Sequence, residues 1–318
     1  MRGMSADPIL CDVQAAAARI APYIHRTPVA TCAAIDGLAG CNLHFKCEHL
    51  QKVGAFKARG ATNAVLSLIG EEASRGVCTH SSGNHAAALA RAARLRGIPA
   101  TIVMPSSAPP VKRAAVAGYG ADIIECDPTL EARESTLREV QVRTGAIFVH
   151  PYDDPRVIAG QGTAALELLE QAPELGMILA PVGGGGLASG TVITVSSLAP
   201  GVEVWGAEPA GADDAYRSLR DRRRYPSVRP TTVADGLLTS LSERTFRILS
   251  GGLAGILTVD DDMIVRAMRL LWERAKLLVE PSAAVPLAVV MAHPDRFVGR
   301  RVGIILSGGN VDLDSLPW

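Results

Sequence analysis

The chain has 318 residues, 48% of them apolar, enough to bury a sizeable core in one large or two modest domains and against wholesale disorder. Lys plus Arg and Asp plus Glu number 32 each, so no net field favours nucleic acid or an anionic membrane, and no apolar run approaches the roughly 18 residues of a membrane span. Six scattered cysteines without a CxxC pair support neither a disulfide scaffold nor a zinc site and fit a reducing cytoplasm. In chain order, the opening MRGMSADPILCDV lacks the charged head and apolar run of a signal peptide. Apolar and β-branched runs then predict strands over 42–48, 76–80, 100–105, 121–126, 146–150, 177–182, 203–208, 255–259 and 302–307. Helical stretches are predicted over 84–96, 109–118, 129–143, 159–171 and 262–278. The alternation implies an α/β fold with parallel sheets covered by helices on both faces, and the continuous apolar strands agree with burial on both sides. The basic run 220–224 reads as a solvated loop.

Polar and glycine-rich strings recur where strands should end, the place where open α/β sheets bind ligands. Gly183, Gly184, Gly185 and Gly186 follow the run 177–182 and precede a small-residue helix. Such a junction brings backbone N–H groups onto a phosphate at a helix N-terminus, although four glycines also make a flexible turn. The string matches neither GxGxxG nor the Walker pattern. Ser81, Ser82, Gly83, Asn84 and His85 follow strand 76–80 and offer hydroxyls, an amide and a helix start to a carboxylate or a ring oxygen; they could equally form an ordinary helix cap. Ser307, Gly308, Gly309 and Asn310 close the last strand. Only five of the 32 basic residues are lysines, and Lys57 lies between Phe56 and a small-residue helix that begins near Arg59 and Gly60, where a desolvated amine could form a Schiff base; taken alone, a surface lysine is the plainer reading.

These segments occur together, in this order, with HRTPV, FKCEHLQKVGAFKARGA, THSSGNHAAALA, PVGGGGLASG, AEPAGADDAY, ADGLLTS, WERAKLLVEPSAA and LSGGNVDL. The combination resembles the fold-type II pyridoxal-phosphate (PLP) enzymes end to end, with the nearest likeness to the serine/threonine dehydratase family, including serine racemases and 3-hydroxyaspartate dehydratases. The resemblance implies two parallel-sheet αβα domains with a cleft between them, as in the tryptophan synthase β fold. Residues 1–71 plus 153–318 would form the large PLP-binding domain and 72–152 the small one.

The resemblance also assigns roles. Lys57 is the Schiff-base lysine and general base, Phe56 and Asn84 contact the cofactor ring, and Gly183 to Gly186 with Leu187 cradle its phosphate. Ser307 meets the pyridine nitrogen; a neutral hydroxyl holds no proton there as an Asp would, which weakens the ring as an electron sink and favours prompt loss of a β-hydroxyl. Ser81, Ser82, Asn84 and His85 bind the substrate carboxylate, and Ser82 is the opposite-face acid/base if the enzyme racemises. Arg133 and Thr239 meet the distal group of the substrate, Arg133 suiting a second carboxylate through bidentate pairing. Tyr152 stands where animal-type racemases carry asparagine and is more dehydratase-like. Glu208, Asp214 and the carbonyl of Ala212 match a divalent-cation site of oxygen ligands for Mg, Ca or Mn; an acidic helix start is the plainer reading of the same string. Cys32, Ala33, Val53 and Ala87 replace the polar contacts of an ATP site, so ATP activation is not expected. Glu280 matches a position near the cofactor.

The expected activity is therefore an ammonia-lyase converting serine, threonine or 3-hydroxyaspartate to a 2-oxo acid and ammonia in a cytoplasmic homodimer. A serine racemase using Lys57 and Ser82 is the enzymatic alternative. A non-catalytic PLP or amino-acid binding protein is the third reading, opposed by the intact Lys57, Ser82 and glycines.

Overall fold

The computed structural model describes residues 6–108 and 110–318. Ten strands and fourteen α-helices are found among them, arranged around two sheets. The first half of the chain contains α1 (Leu10–Ile20), β1 (Val29–Ala30), α2 (Ala33–Ala39), β2 (Asn42–Lys46), α3 (Lys57–Leu66) and α4 (Gly70–Ser74). It continues through β3 (Val77–His80), α5 (Asn84–Arg96), β4 (Ala100–Pro105), α6 (Pro110–Gly118), β5 (Asp122–Cys126), α7 (Leu130–Thr144) and β6 (Ile147–Phe148). Then come α8 (Pro155–Gln171), β7 (Met177–Pro181), α9 (Gly186–Leu198), β8 (Glu203–Pro209), α10 (Asp214–Arg220), α11 (Glu243–Gly252) and β9 (Gly255–Val259). The chain closes with α12 (Asp261–Leu270), α13 (Pro281–Ala292), α14 (Pro294–Phe297) and β10 (Arg301–Ile305).

The larger sheet has the order β1-β2-β10-β7-β8-β9, parallel except for the short edge strand β1. The smaller sheet, β5-β4-β3-β6, is parallel throughout. All five residues of β7 are buried, which matches its continuous apolar sequence. On one face of the larger sheet lies α13, apolar on every side and buried along nearly its whole length. On the other face α8 packs on α9, α3 and α1. The contact between α3 and α8 is close because both carry glycine: a Cβ on Gly160 would lie 2.6 Å from the Gly60 Cα.

The predicted helix 262–278 is shorter than expected. It ends as α12 at Leu270, widens into a π turn over Leu271–Ala275 and stops where Lys276 adopts a left-handed φ of 59°. The predicted strand 146–150 contracts to two residues, because β6 is an edge strand paired only with β3. Among the described residues no helix is long and apolar enough to cross a membrane.

Candidate active site

The order of the larger sheet places β7 beside β10. The strands stay parallel but strand order reverses across this pair, since β8 and β9 extend to one side and β2 lies on the other, so the carboxyl ends of β7 and β10 open on a crevice at the switch point. Gly183 to Gly186 leave β7 there and Ser307 leaves β10. The Phe56 N–H donates to the Ser307 carbonyl at 3.0 Å and Ala55 bridges Gly308, which brings the start of α3 to the same crevice. Lys57 is the first residue of α3, and its Nζ donates to the Pro151 carbonyl at 2.9 Å. Lys57 is half-buried, and the lost hydration lowers its pKa to about 8 despite the Glu280 carboxylate, which favours the charged form. The Phe56 ring centroid lies 5.0 Å from Nζ.

The glycine loop has no room for side chains. A Cβ on Gly186 would come within 2.9 Å of the Tyr152 Cβ, one on Gly184 would run into the Tyr152 ring, and Gly185 has φ +84°. Gly183 lies under Gly236, Leu237 and the Thr239 hydroxyl. Helix α9 starts without a side-chain cap, and its first ladder bond runs from Ser189 N–H to the Gly185 carbonyl. The N–H groups of Gly186, Leu187 and Ala188 precede that bond and remain available to an anion.

The turn from β3 into α5 faces this loop from the smaller sheet. Helix α5 also starts on an uncapped glycine, Gly83. Asn84 Nδ2 lies 3.0 and 3.1 Å from the two carboxylate oxygens of Glu280, and its Oδ1 accepts from Asn310 Nδ2 at 2.8 Å. The Asn310 N–H also donates to Glu280. Burial raises the Glu280 pKa to about 7, with the Asn84 amide working against the rise. An amine close to neutrality, an anion cradle of backbone N–H groups and a shaped crevice fit a phosphate-bearing aldehyde cofactor.

Residues 20–308 match the sequence profile described as "Pyridoxal-phosphate dependent enzyme". The chain belongs to that family. It is 52% identical over 311 residues to a beta-hydroxyaspartate dehydratase of Paracoccus denitrificans (strain Pd 1222), covering 98% of this chain and 99% of that protein. The solved serine racemase of Dictyostelium discoideum superposes with a TM-score of 0.93 at 50% identity over 97% of this chain and 100% of its own. A solved T.th. threonine deaminase gives a TM-score of 0.92 at 48% identity over 96% of this chain and 99% of its own.

Within this family site the remaining sequence-derived candidates fall as follows. Ser81 and Ser82 are half-buried in the β3–α5 turn. His85 is buried, its Nε2 lies 3.1 Å from the Val149 carbonyl, and burial lowers its pKa to about 3; the ring is therefore neutral and Nε2 carries the donated proton. Arg133 lies on α7 with its Nε buried and unpartnered, close enough to His80 to disfavour that ring's charged form. Thr239 is exposed in the loop over Gly183. Ser307 is buried at 4% exposure.

Glu208, Ala212 and Asp214 gather at the end of β8, all buried. Glu208 accepts the N–H groups of Ala215 and Tyr216, and burial raises its pKa to about 9. Neither carboxylate oxygen of Asp214 has a hydrogen-bond partner of good geometry, and burial raises its pKa to about 6. A buried carboxylate with open lone pairs suits a hard cation.

Some neighbours of the site are not singled out by the sequence reading. His150 is one: its Nδ1 accepts the N–H groups of Tyr152 and Asp153, and its ring meets the edge of Tyr152 at 4.5 Å. Phe148 and His80 extend this set of rings into the smaller sheet. The Pro151 carbonyl is another. The string HPYDDP was the available clue, since three ring-bearing residues in a row before a helix cap suggest a packed turn.

Proposed function

We propose that the chain is a PLP-dependent ammonia-lyase acting on small L-β-hydroxy amino acids, releasing a 2-oxo acid and ammonia. The observation that carries this reading is Lys57, a half-buried amine bonded to the Pro151 carbonyl, its pKa lowered to about 8, beside an anion cradle that excludes side chains. Bound PLP supplies an aldehyde that captures an amine and a conjugated ring that draws electrons from the substrate Cα.

The chain's own residues do the rest. Lys57 Nζ, neutral for part of the time near pH 8, takes the Cα proton. The glycine-loop and α9 N–H groups, with Leu187, hold the phosphate. Phe56 packs on the lysine, Asn84 is aimed by Glu280, and the Ser307 hydroxyl meets the ring nitrogen without protonating it. Ser81, Ser82, Asn84 and His85 hold the substrate carboxylate at the start of α5. Arg133 and Thr239 face the distal group, which makes 3-hydroxyaspartate a substrate of particular interest beside serine and threonine. Approach of a small domain, residues 72–152, to a large one, residues 1–71 plus 153–318, excludes water from the crevice.

Glu208, Asp214 and the Ala212 carbonyl hold Mg, Ca or Mn; the open lone pairs of Asp214 support this. Six free cysteines support a reducing cytoplasm; a homodimer is part of the same reading, and Cys32, Ala33, Val53 and Ala87, which lack the polar groups of an ATP site, support the absence of ATP activation.

A second reading, serine racemase with Ser82 as the opposite-face acid/base, is supported by 50% identity to the Dictyostelium enzyme. The test is a paired assay of keto-acid and D-enantiomer formation from L-serine, L-threonine and L-threo-3-hydroxyaspartate with PLP and Mg. Rapid keto acid with little D-product is expected. Substantial D-serine, lost in Ser82→Ala while keto-acid release survives, would favour the racemase.

A further inference from the structure

Directly behind Lys57 lies a cluster of buried charges that the proposed chemistry does not use. Arg59, Lys46 and Glu48 have side chains with no solvent exposure, and Glu167 is 12% exposed. Every nitrogen of the Arg59 guanidinium is engaged. Nε and Nη2 make a fork on Glu48 at 2.7 and 2.8 Å. Nη1 and Nη2 reach the two oxygens of Glu167 at 2.8 and 2.9 Å, and Thr163 and Thr27 add hydroxyl acceptors. Lys46 completes the set, donating to Glu167, Gln171 and the Thr27 carbonyl. Two cations and two anions leave no net charge.

Buried ion pairs of this kind add little net stability over apolar side chains of the same volume, because desolvation offsets the attraction. They do fix geometry, and a guanidinium fork does so more strictly than an ammonium. The geometry fixed here is that of the first turn of α3. Two residues of helix separate side chains by about 200°, so Lys57 and Arg59 leave the same turn on opposite sides. Lys57 reaches Pro151 at the crevice, while Arg59 reaches Glu48 after β2 and Glu167 on α8. One residue before Lys57, the Phe56 N–H is tied to Ser307. One residue after Arg59, the Gly60 N–H is tied to Gln161 of α8.

We propose that Arg59, clamped by Glu48 and Glu167, is a positioning residue that sets the place of Lys57 relative to Ser307 and the glycine loop. This inference rests on the reading of Lys57 as the cofactor-bearing lysine. A misplacement of about 1 Å in a reacting group costs on the order of 100-fold in rate.

The test compares the wild type with Arg59→Lys, which keeps the charge and loses the fork. Glu167→Gln, which leaves the fork on Glu48 intact, is used if Arg59→Lys does not fold by circular dichroism. Two quantities are read: kcat and KM of the PLP-loaded enzyme for keto-acid release, and the pH midpoint for arylation of Lys57 in the apoprotein by trinitrobenzenesulfonate, located by mass spectrometry. The expected result is a fall of about 100-fold in kcat with KM little changed, together with a displaced arylation midpoint. A folded variant in which either quantity stays at its wild-type value overturns the proposal, whatever happens to its melting temperature. Lys57→Ala separates the two levels: keto-acid release surviving in that variant refutes the role of Lys57 itself, whereas its loss alongside a wild-type-like Arg59→Lys refutes the positioning alone.

Discussion

The ring of Tyr152 fills the space that a side chain at Gly184 would need, so the turn after β6 and the glycine loop after β7 are fitted to each other. Gly184→Ala is therefore expected to push Tyr152 off the loop, at a stability cost of about 1–3 kcal/mol for an overpacked site, and to lower PLP occupancy. Adding Tyr152→Ala should recover part of the stability, a non-additive pair expected for residues in contact. Thermal melts and cofactor absorbance of the two single variants and the double variant check this.

Glu280 leads to a pH prediction. Its carboxyl is raised from 4.5 to about 7, so between those values the folded state binds more protons than the unfolded one, and the stability it contributes is lost as pH rises through 7. Glu280→Gln imitates the protonated form at every pH. The melting temperature of this variant relative to wild-type apoprotein should accordingly rise between pH 4.5 and 7. A difference that stays constant across that window would contradict the burial of an ionisable carboxyl there. Lys57 works in the other direction at higher pH: with its pKa lowered from 10.5 to about 8, its contribution is present above 10.5 and lost as pH falls through 8.

The cation site proposed at Asp214 can be tested without catalysis. Mg, Ca or Mn at a hundred times its dissociation constant should stabilise the protein by about 2.7 kcal/mol. Asp214→Asn should abolish that gain, and a shift that survives in the variant would place the cation elsewhere.

Arg133 is tested by the ratio of two substrates. Arg133→Gln removes a charged hydrogen bond worth about 1.5–3 kcal/mol, so kcat/KM for L-threo-3-hydroxyaspartate should fall by about 10- to 100-fold relative to L-serine. An equal loss for both substrates would mean that Arg133 does not meet the distal carboxylate.

Much of the fold is written locally. The ranges 84–96, 100–105 and 255–259 agree residue for residue with α5, β4 and β9, because glycine stops and β-branched runs mark them without help from the rest of the chain. Helix α13 escaped notice because it is apolar on every side and has no period to detect. The π turn and left-handed Lys276 that cut the predicted helix 262–278 have no simple sequence mark either. At the site, the strings after β3, β7 and β10 were legible because their chemistry is contiguous. The family motif singled out Lys57, which is half-buried, whereas Lys46 is wholly buried. The structure adds a physical difference between them: Lys46 has three acceptors including a carboxylate, whereas Lys57 bonds a single carbonyl beside the glycine loop. The links Asn84–Glu280 and Arg59–Glu167 join residues 196 and 108 positions apart, and no local string records them.

The most direct test of the site is borohydride reduction of the PLP-loaded protein followed by peptide mass spectrometry. The expected result is one phosphopyridoxyl group, located on Lys57. A group fixed to Lys46 or another lysine, or no fixed group in a protein that carries PLP absorbance, would contradict it.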